Sequence, residues 1–269
     1  MSKFGRYQVV ESEEAMLTSH VHDGTPLKTV NWEPKNDVLD QEDLLKQGID
    51  TATLVPGAQQ VDALGSCTAN ASMSALSNVL SEEAFLAFTK AQSYSDTVGI
   101  EKAAILFYHG CTDQTGQTSE EWPPTDCGSS GPYIVEYAKS LDLISGAKIT
   151  HGAQNIVSLL QSGGLAVGQP FLNAWMEPNA AGFIDGNGSA STLEAQIRQG
   201  VAGGHETYLA TIEKLTLTET GTVEPYKTVI RFRNSWTSSW GDHGDYLAHL
   251  STYVALGQYC DFRQFQADA

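Results

Sequence analysis

The sequence predicts an α+β fold in which a helical part precedes an antiparallel sheet part. Helical spacing of apolar residues dominates between residues 67 and 164, whereas short alternating runs follow from residue 165 onward. A length of 269 residues with 41% hydrophobic residues suffices for one large domain or for two lobes that share a core. We find no internal repeat.

The chain before Cys67 carries few signals of regular structure. Residues 1–36 are expected to be a polar extension, in which "GRYQVV" at 5–10 is a strand candidate. Residues 31–45 show turn residues and then a short helix signal. Residues 51–60 predict a loop, because Pro and Gly interrupt this segment.

A buried helix is predicted to begin at Cys67. Its apolar residues recur on one helical face at Ala69, Met73, Leu76 and Leu80. The opposite side also carries small residues, so we expect this helix to be buried all round, with Ser66 as its N-cap. Similar spacing predicts further helices at 82–96, 100–108, 132–141 and 155–160.

Alternating apolar residues predict strands in the second half of the chain. They are expected at 165–172, 205–215, 227–234 and 244–250. In the third of these strands Ile230 and Phe232 share a face with Asn234, while Arg231 and Arg233 lie on the other face.

Charge and cysteine content exclude several classes of function. There are 32 acidic and 15 basic residues, giving a net charge of −17, which disfavours nucleic acid and anionic membranes as partners. The four cysteines form no C-x-x-C pair and no zinc spacing, so we expect free thiols and no metal site. We see no transmembrane segment and no signal peptide, and expect a cytoplasmic or phage-associated protein.

Three short segments together suggest thiol chemistry. They are "LGSC" (64–67) before the buried helix, "GGHE" (203–206) at the start of a strand, and "RNSWTSSWGDHG" (233–244) at the end of another. A thiol at a helix N-terminus meets oriented N–H groups that favour the thiolate. A histidine can then protonate a leaving amine, and an asparagine can orient its ring.

These segments resemble the papain family of cysteine peptidases, and in particular its bacterial and phage-type branch. "GSCTANA" (65–71) is similar to the family's nucleophile segment, and "GGHE" and "RNSW…WGDHG" are similar to its histidine and asparagine segments. "DCGSSGPYIVEYAKSLDLI" (126–144) resembles the loop and helix on the substrate side. The resemblance covers about residues 31–265, and three segments in the family's order are strong evidence.

The resemblance implies a Cys-His-Asn triad. Cys67 would be the nucleophile that forms an acyl-enzyme, His205 its acid/base partner, and Asn234 the residue that orients His205. Trp236 and Trp240 would exclude water from the Asn–His hydrogen bond. No metal or organic cofactor is implied. Gly128 and Ser129 would contact substrate.

The family's oxyanion hole combines the N–H of the nucleophile with a glutamine amide that usually stands six residues earlier. That position is Val61 here, whereas Gln60 stands seven residues before Cys67 and Gln59 eight. We expect Gln60 to supply the second donor if a one-residue bulge shifts it. Loss of such a donor costs on the order of 10²–10³ in rate.

Glu206 allows two interpretations. The family's residue at this position helps to line the pocket for the second residue before the scissile bond, so a glutamate would favour a basic side chain there. The alternative is a surface ion pair with Arg231 or Arg233, which would contribute little.

Together these inferences predict a papain-like two-lobe fold with the cleft between a helical lobe and an antiparallel sheet or barrel lobe. Residues 1–36 would be an extension, forming either an added strand or a plug in the cleft. Residues 37–269 would be the peptidase domain, with a helical lobe at 67–164 and a sheet lobe at 165–269 plus 37–66.

The function implied is a monomeric cysteine endopeptidase that acts on polypeptides. One alternative is a catalytically weak papain-like module with a binding or structural role, such as a phage component. The other is an amide transferase or isopeptidase that uses the same triad.

Overall fold

An open sheet of seven strands, with helices packed on both of its faces, organises the part of the chain that the structure describes. This computed structural model describes residues 17–112 and 121–267. The helices are α1 Thr51–Leu54, α2 Cys67–Val79, α3 Glu82–Thr89, α4 Thr97–Thr112, α5 Gly131–Ser140, α6 Ala153–Leu159, α7 Ala190–Ile197 and α8 Leu250–Leu256. The strands are β1 Leu17–Ser19, β2 Gly146–Thr150, β3 Leu165–Leu172, β4 Val201–Lys214, β5 Val229–Arg233, β6 Asp245–His249 and β7 Asp261–Gln266.

The strand order in the sheet is β1-β2-β7-β3-β4-β5-β6. β1 pairs with β2 in parallel, and the other neighbours pair antiparallel. The predicted α+β class is therefore confirmed. The sheet is open rather than closed into a barrel over the described residues.

β4 is the longest strand described and separates two hydrophobic clusters. Tyr208 and Ala210 enter the cluster formed with helices α2 to α5, whereas Leu209 and Ile212 enter the cluster with α6 and α8. Successive side chains of a strand point to opposite faces, so one strand serves both cores. A register shift between Leu209 and Thr211 puts Ile212 on the face of Leu209. His205 shares the face of Leu209, and Glu206 shares the face of Tyr208.

α2 is buried over its first eleven residues, from Cys67 to Ser77. Its many Ala and Ser residues let it pack closely against both α4 and β4. The prediction of a helix that begins at Cys67 and is buried all round is confirmed. Ser66 is at the N-cap position, but its hydroxyl makes no capping hydrogen bond.

One predicted loop contains a helix. α1 forms at Thr51–Leu54 because the carboxylate of Asp50 accepts hydrogen bonds from Ala52 N and Thr53 N, a side-chain cap that the sequence reading missed. It ends before Pro56, the breaker that predicted the loop. The short helix signal within 31–45 was wrong, because its residues form turns instead.

Several short elements were not predicted. They are β1, β2, β7, α7 and α8. In β7 a buried arginine, Arg263, and a buried glutamine, Gln264, interrupt the apolar pattern that identifies a strand. β1 has three residues, too few to show a period, and depends on pairing with β2.

The domain boundaries stay a prediction, but the packing of two segments is visible. Buried apolar residues of 37–66 join the cluster formed by the helices; they are Leu39, Leu44, Ile49, Val55 and Leu64. In the N-terminal segment, β1 lies at the sheet edge and Trp32 Nε1 donates to Leu160 O at 2.7 Å. The strand candidate at 5–10 lies outside the described residues.

Candidate active site

Cys67 is the first residue of α2, so its main chain forms the N-terminus of the helix. Oriented N–H groups there favour a negative charge on sulfur. α2 packs on β4, the strand that carries His205. Both Cys67 and His205 have 0% of their surface exposed, so a reagent must displace neighbouring groups to reach the thiol.

His205 and Asn234 meet across two adjacent strands. Asn234 follows the last residue of β5, and β5 pairs with β4. His205 Nε2 lies 2.8 Å from Asn234 Oδ1. An amide oxygen only accepts hydrogen bonds, so Nε2 carries the hydrogen and Nδ1 is the basic nitrogen of the neutral ring. Asn234 Oδ1 also accepts from Ser235 N at 2.8 Å, which fixes the orientation of the amide.

Aromatic rings enclose the imidazole of His205. Trp236 stacks on it at 4.6 Å between centroids with an angle of 23°, and Phe171 contacts it edge-on at 5.1 Å. Trp240 lies edge-on to Trp236 at 5.3 Å, and its Nε1 donates to Met176 O. Trp236 and Phe171 thus cover the imidazole of His205, and Trp240 packs against Trp236.

The amide of Gln60 is hydrogen-bonded away from Cys67. Gln60 is exposed, and its Nε2 donates to Ile49 O and Val61 O, both at 3.2 Å. The amide nitrogen is therefore engaged by main-chain carbonyls of its own loop. Gln60 as an oxyanion donor stays a prediction that this geometry does not support.

Gln41 is a glutamine that the sequence reading missed. It is fully buried, and its main chain pairs with Leu64 N at 3.1 Å and with Ser235 O at 3.2 Å. Its side-chain Nε2 donates to Leu64 O at 3.1 Å, while Oε1 accepts from Ser235 Oγ at 2.7 Å. Gln41 thus connects the turn before Cys67 with the residue after Asn234.

A chain excursion explains why Gln41 was missed. Residues 42–63 form a loop whose two ends lie side by side, with Leu44 N donating to Asp62 O at 2.8 Å. If these residues are skipped, Gln41 stands four residues before Cys67. A search that allowed an insertion between glutamine and nucleophile would have found it.

The loop 126–130 lies beside the nucleophile turn. Asp126 Oδ2 accepts from Gly65 N at 2.8 Å, and Asp126 Oδ1 accepts from Tyr108 Oη at 2.8 Å. Gly128 N in turn donates to Tyr108 Oη at 2.8 Å. Ser129 is fully buried, and its hydroxyl has no hydrogen-bond partner among the described residues.

Glu206 does not form the ion pair that the sequence suggested. Its carboxylate lies 2.7 Å from a guanidinium nitrogen of Arg263 on β7, and both residues are only 1% exposed. Arg263 also pairs with Asp261 at 2.6 Å. The predicted pairing with Arg231 or Arg233 is wrong. Arg233 lies opposite Tyr208 on the same face of the sheet as Glu206, but the carboxylate of Glu206 pairs with Arg263 of β7 instead.

The two arginines of β5 have other partners. Arg231 bonds to Glu213 and, at 2.8 Å, to Asp242, while Arg233 bonds to Asp245. The Glu206 carboxylate is already neutralised by Arg263 and so offers little attraction to a basic substrate side chain.

A buried acid lies behind the nucleophile helix. Glu101 on α4 is fully buried, and its Oε2 accepts from Asn70 Nδ2 on α2 at 2.7 Å. Burial is the main reason that the pKa of Glu101 is raised to about 8, and the nearby charge of Asp40 raises it further. Burial likewise raises the pKa of Asp40 to about 6.

Other groups give no second reactive centre. Cys111, Cys127 and Cys260 form no disulfide, and burial raises the pKa of the Cys111 thiol. Within 17–112 and 121–267, no three His, Cys, Asp or Glu side chains are grouped to hold a metal ion. The segment "DGNGS" is a turn whose Asp185 accepts from Thr252 Oγ1 and His249 N. No helix of the described chain is both long and apolar enough to cross a membrane.

The fold is similar to that of two solved cysteine proteases. Xylellain, a cysteine protease from Xylella fastidiosa, gives a TM-score of 0.52 at 15% identity over 100% of this chain and 97% of that one. The procathepsin B S9 of Trypanosoma congolense gives 0.51 at 11% identity over 98% and 87%. No protein-family model and no curated protein sequence matches the chain. The similarity confirms the papain-like two-lobe fold.

Proposed function

We propose that this chain is a cysteine peptidase that hydrolyses peptide bonds through Cys67, His205 and Asn234. The observation that carries the proposal is the 2.8 Å bond from His205 Nε2 to Asn234 Oδ1 beneath the Trp236 ring, on a strand that packs against the helix begun by Cys67. A buried imidazole oriented in this way supports transfer of a proton between sulfur and a leaving amine.

The chemistry proceeds in two halves. The thiolate of Cys67 attacks the scissile carbonyl carbon, a C–S bond forms, and His205 gives its Nδ1 proton to the departing amine. Water then attacks the acyl-enzyme while His205 accepts its proton, and the thiolate leaves. In both halves Asn234 keeps the ring orientation and stabilises the imidazolium.

For the oxyanion hole we propose the N–H of Cys67 and the side chain of Gln41. Two hydrogen bonds of the Gln41 side chain, to Leu64 O and Ser235 Oγ, place its amide between the nucleophile turn and the asparagine segment. A donor held by such bonds before the substrate arrives needs little reorganisation during the reaction.

The side of the site on which the leaving amine would depart supports a polypeptide substrate. His205 must lie over the leaving nitrogen, so the departing chain runs past Trp236 toward Trp240. A groove of about 620 Å³ adjoins Trp240 and the loop 177–182. We propose a polypeptide as substrate, with a monomeric enzyme. The net charge of −17 supports excluding nucleic acid and anionic membranes.

The finer assignments are part of the proposal. "GSCTANA" supports the bacterial and phage-type branch, because Thr68 follows the nucleophile there. A cytoplasmic or phage-associated location is consistent with that branch. The groove beside Trp240 favours endopeptidase action over transfer or isopeptide cleavage, because it has room for the part of a polypeptide substrate that follows the scissile bond.

Labelling by a thiol-directed epoxide inhibitor tests the proposal, because the chain contains its own controls. Cys111 and Cys260 are as buried as Cys67 but lie outside the proposed triad, and Cys127 is more exposed. We expect Cys67 to be labelled first, and His205→Ala to abolish that preference. Labelling of Cys127 ahead of Cys67 would contradict an activated nucleophile.

The burial of Cys67 and His205 favours a second candidate, a papain-like module that binds peptides without cleaving them. Peptide cleavage that disappears in Cys67→Ala would exclude this candidate. Peptide binding of equal strength by wild type and Cys67→Ala, without products, would establish it. Products joined to an added amine would indicate a transferase instead.

A further inference from the structure

The turn that delivers Cys67 and the loop that leads into α5 are joined by one carboxylate. Asp126 is an exposed residue, yet both of its carboxylate oxygens are hydrogen-bonded, one to Gly65 N and one to Tyr108 Oη. Gly65 lies two residues before the thiol. Hydrogen bonds to an ionised carboxylate are stronger than those between neutral groups.

Tyr108 extends the link to the loop itself. It is fully buried on α4, where its ring lies 5.5 Å from that of Trp122. Its hydroxyl uses its single hydrogen for Asp126 and accepts from Gly128 N. The position of Gly128 is thereby tied to the same carboxylate that holds Gly65.

The loop can take this path only with glycine at 128. Gly128 has φ +76°, in the left-handed region that side chains disfavour. Ser129 and Ser130 follow, both buried, and α5 begins directly after them. The loop is thus rigid on its α5 side, and the bonds of Asp126 and Tyr108 set its distance from the nucleophile turn.

We propose that Asp126 is a positioning residue, which acts through Gly65 and Tyr108 to hold the nucleophile turn and the 128–130 loop in one fixed arrangement. The inference rests on the proposed function. A substrate whose acyl part lies along this loop then meets the sulfur at a set distance. Displacement of reacting groups by about 1 Å can cost about 10²-fold in rate.

The two links are separable by mutation. Tyr108→Phe removes the tie to Gly128 and leaves the bond from Asp126 to Gly65, so we expect KM to rise with kcat largely kept. Asp126→Ala removes the bond to Gly65 and also the bond that anchors Tyr108 Oη, so we expect kcat/KM to fall 10–100-fold through both constants.

Asp96→Ala is the matched control. Asp96 also accepts two main-chain hydrogen bonds, from Gln92 N at 2.9 Å and Gly99 N at 3.0 Å, but it does so at the start of α4. We expect this variant to lose thermal stability while it keeps kcat and KM. A purely structural role of Asp126 would give the same pattern.

Hydrogen exchange gives a readout that does not require turnover. We expect the amides of Gly65 and Gly128 to exchange faster in Asp126→Ala, and only that of Gly128 to do so in Tyr108→Phe. If Asp126→Ala keeps both protection and kcat/KM while wild type cleaves peptide, the positioning role is overturned and the proposed function stands. A wild type with no labelling of Cys67 and no cleavage would overturn both.

Discussion

At the scale of single residues, the site depends on polar side chains that are fixed before substrate arrives. Asn234 Oδ1 is held by Ser235 N, and the Gln41 amide is held by Leu64 and Ser235. Side chains held in this way need little reorganisation during the reaction. Single substitutions of Gln41 and Gln60 therefore test which glutamine serves the proposed oxyanion hole.

Gln41→Ala is expected to lower kcat by a factor on the order of 10²–10³, because one oxyanion donor is lost. Labelling of Cys67 by iodoacetamide needs no oxyanion donor, so its rate should stay near that of wild type and report that the variant is folded. Gln60→Ala is the direct comparison. A loss of kcat that follows Gln60→Ala, with Gln41→Ala unaffected, would assign the role to Gln60.

At the scale of elements, the packing of α2 against α4 buries the carboxyl group of Glu101. Glu101 accepts from Asn70, and Asp40 is the charged group that acts on it. The charged residues of the neighbouring α3 and α5 are exposed. Burial therefore favours the neutral acid, so this helix pair is sensitive to pH.

Glu101→Gln should remove much of the pH dependence of stability. The pKa of Glu101 is about 8 in the folded protein, against 4.5 for an unperturbed glutamate. The folded state thus binds the proton of Glu101 more tightly than the unfolded state does. The stabilisation that this difference gives is fully present below pH 4.5 and is lost as pH rises toward 8. We expect wild type to lose up to roughly 5 kcal/mol of unfolding free energy across that window.

Urea denaturation between pH 5 and pH 8 measures this loss. The Glu101→Gln profile should be flatter than that of wild type, with a remaining slope of the same sign from Asp40. Glu83→Gln, at an exposed position of α3, should keep the wild-type slope. Parallel profiles for wild type and Glu101→Gln would show that Glu101 is ionised in the folded protein throughout.

At the scale of the whole molecule, a buried ion pair joins the sheet to the helices. Glu206 on β4 pairs with Arg263 on β7, and an added side chain at Gly131, the first residue of α5, would meet Arg263 at 1.7 Å. Strands from two parts of the sheet and a helix therefore meet at one guanidinium. A Cβ at residue 131 would therefore displace the guanidinium of Arg263.

Arg263→Met is expected to cost about 3–5 kcal/mol of unfolding free energy, because Glu206 is left buried without a cation. The double variant Glu206→Leu/Arg263→Met should recover most of this loss, since it removes both buried charges. Asp261, which is partly exposed and accepts from Gly168 N, keeps a partner in each variant. Additive losses measured by urea denaturation would show that the two side chains are not coupled.

Local patterns in the sequence predicted the fold class and the types of residue in the proposed triad. Helical spacing in "CTANASMSAL" predicted α2, and alternation predicted β3, β4, β5 and β6, because these periods are properties of local geometry. The segments around Cys67, His205 and Asn234 were recognisable since each sits at the end or within an element that the sequence predicts. The distance between His205 and Asn234 then followed from the pairing of β4 with β5.

Only the tertiary structure decided which distant residues meet. Gln41 reaches the turn before Cys67 because residues 42–63 form a loop whose two ends lie side by side, and sequence separation does not measure that path. Arg263 pairs with Glu206 because β7 lies beside β3 in the sheet, an order set by long-range packing rather than by local pattern. Buried polar partners carry no periodic signal, so the structure alone could identify them.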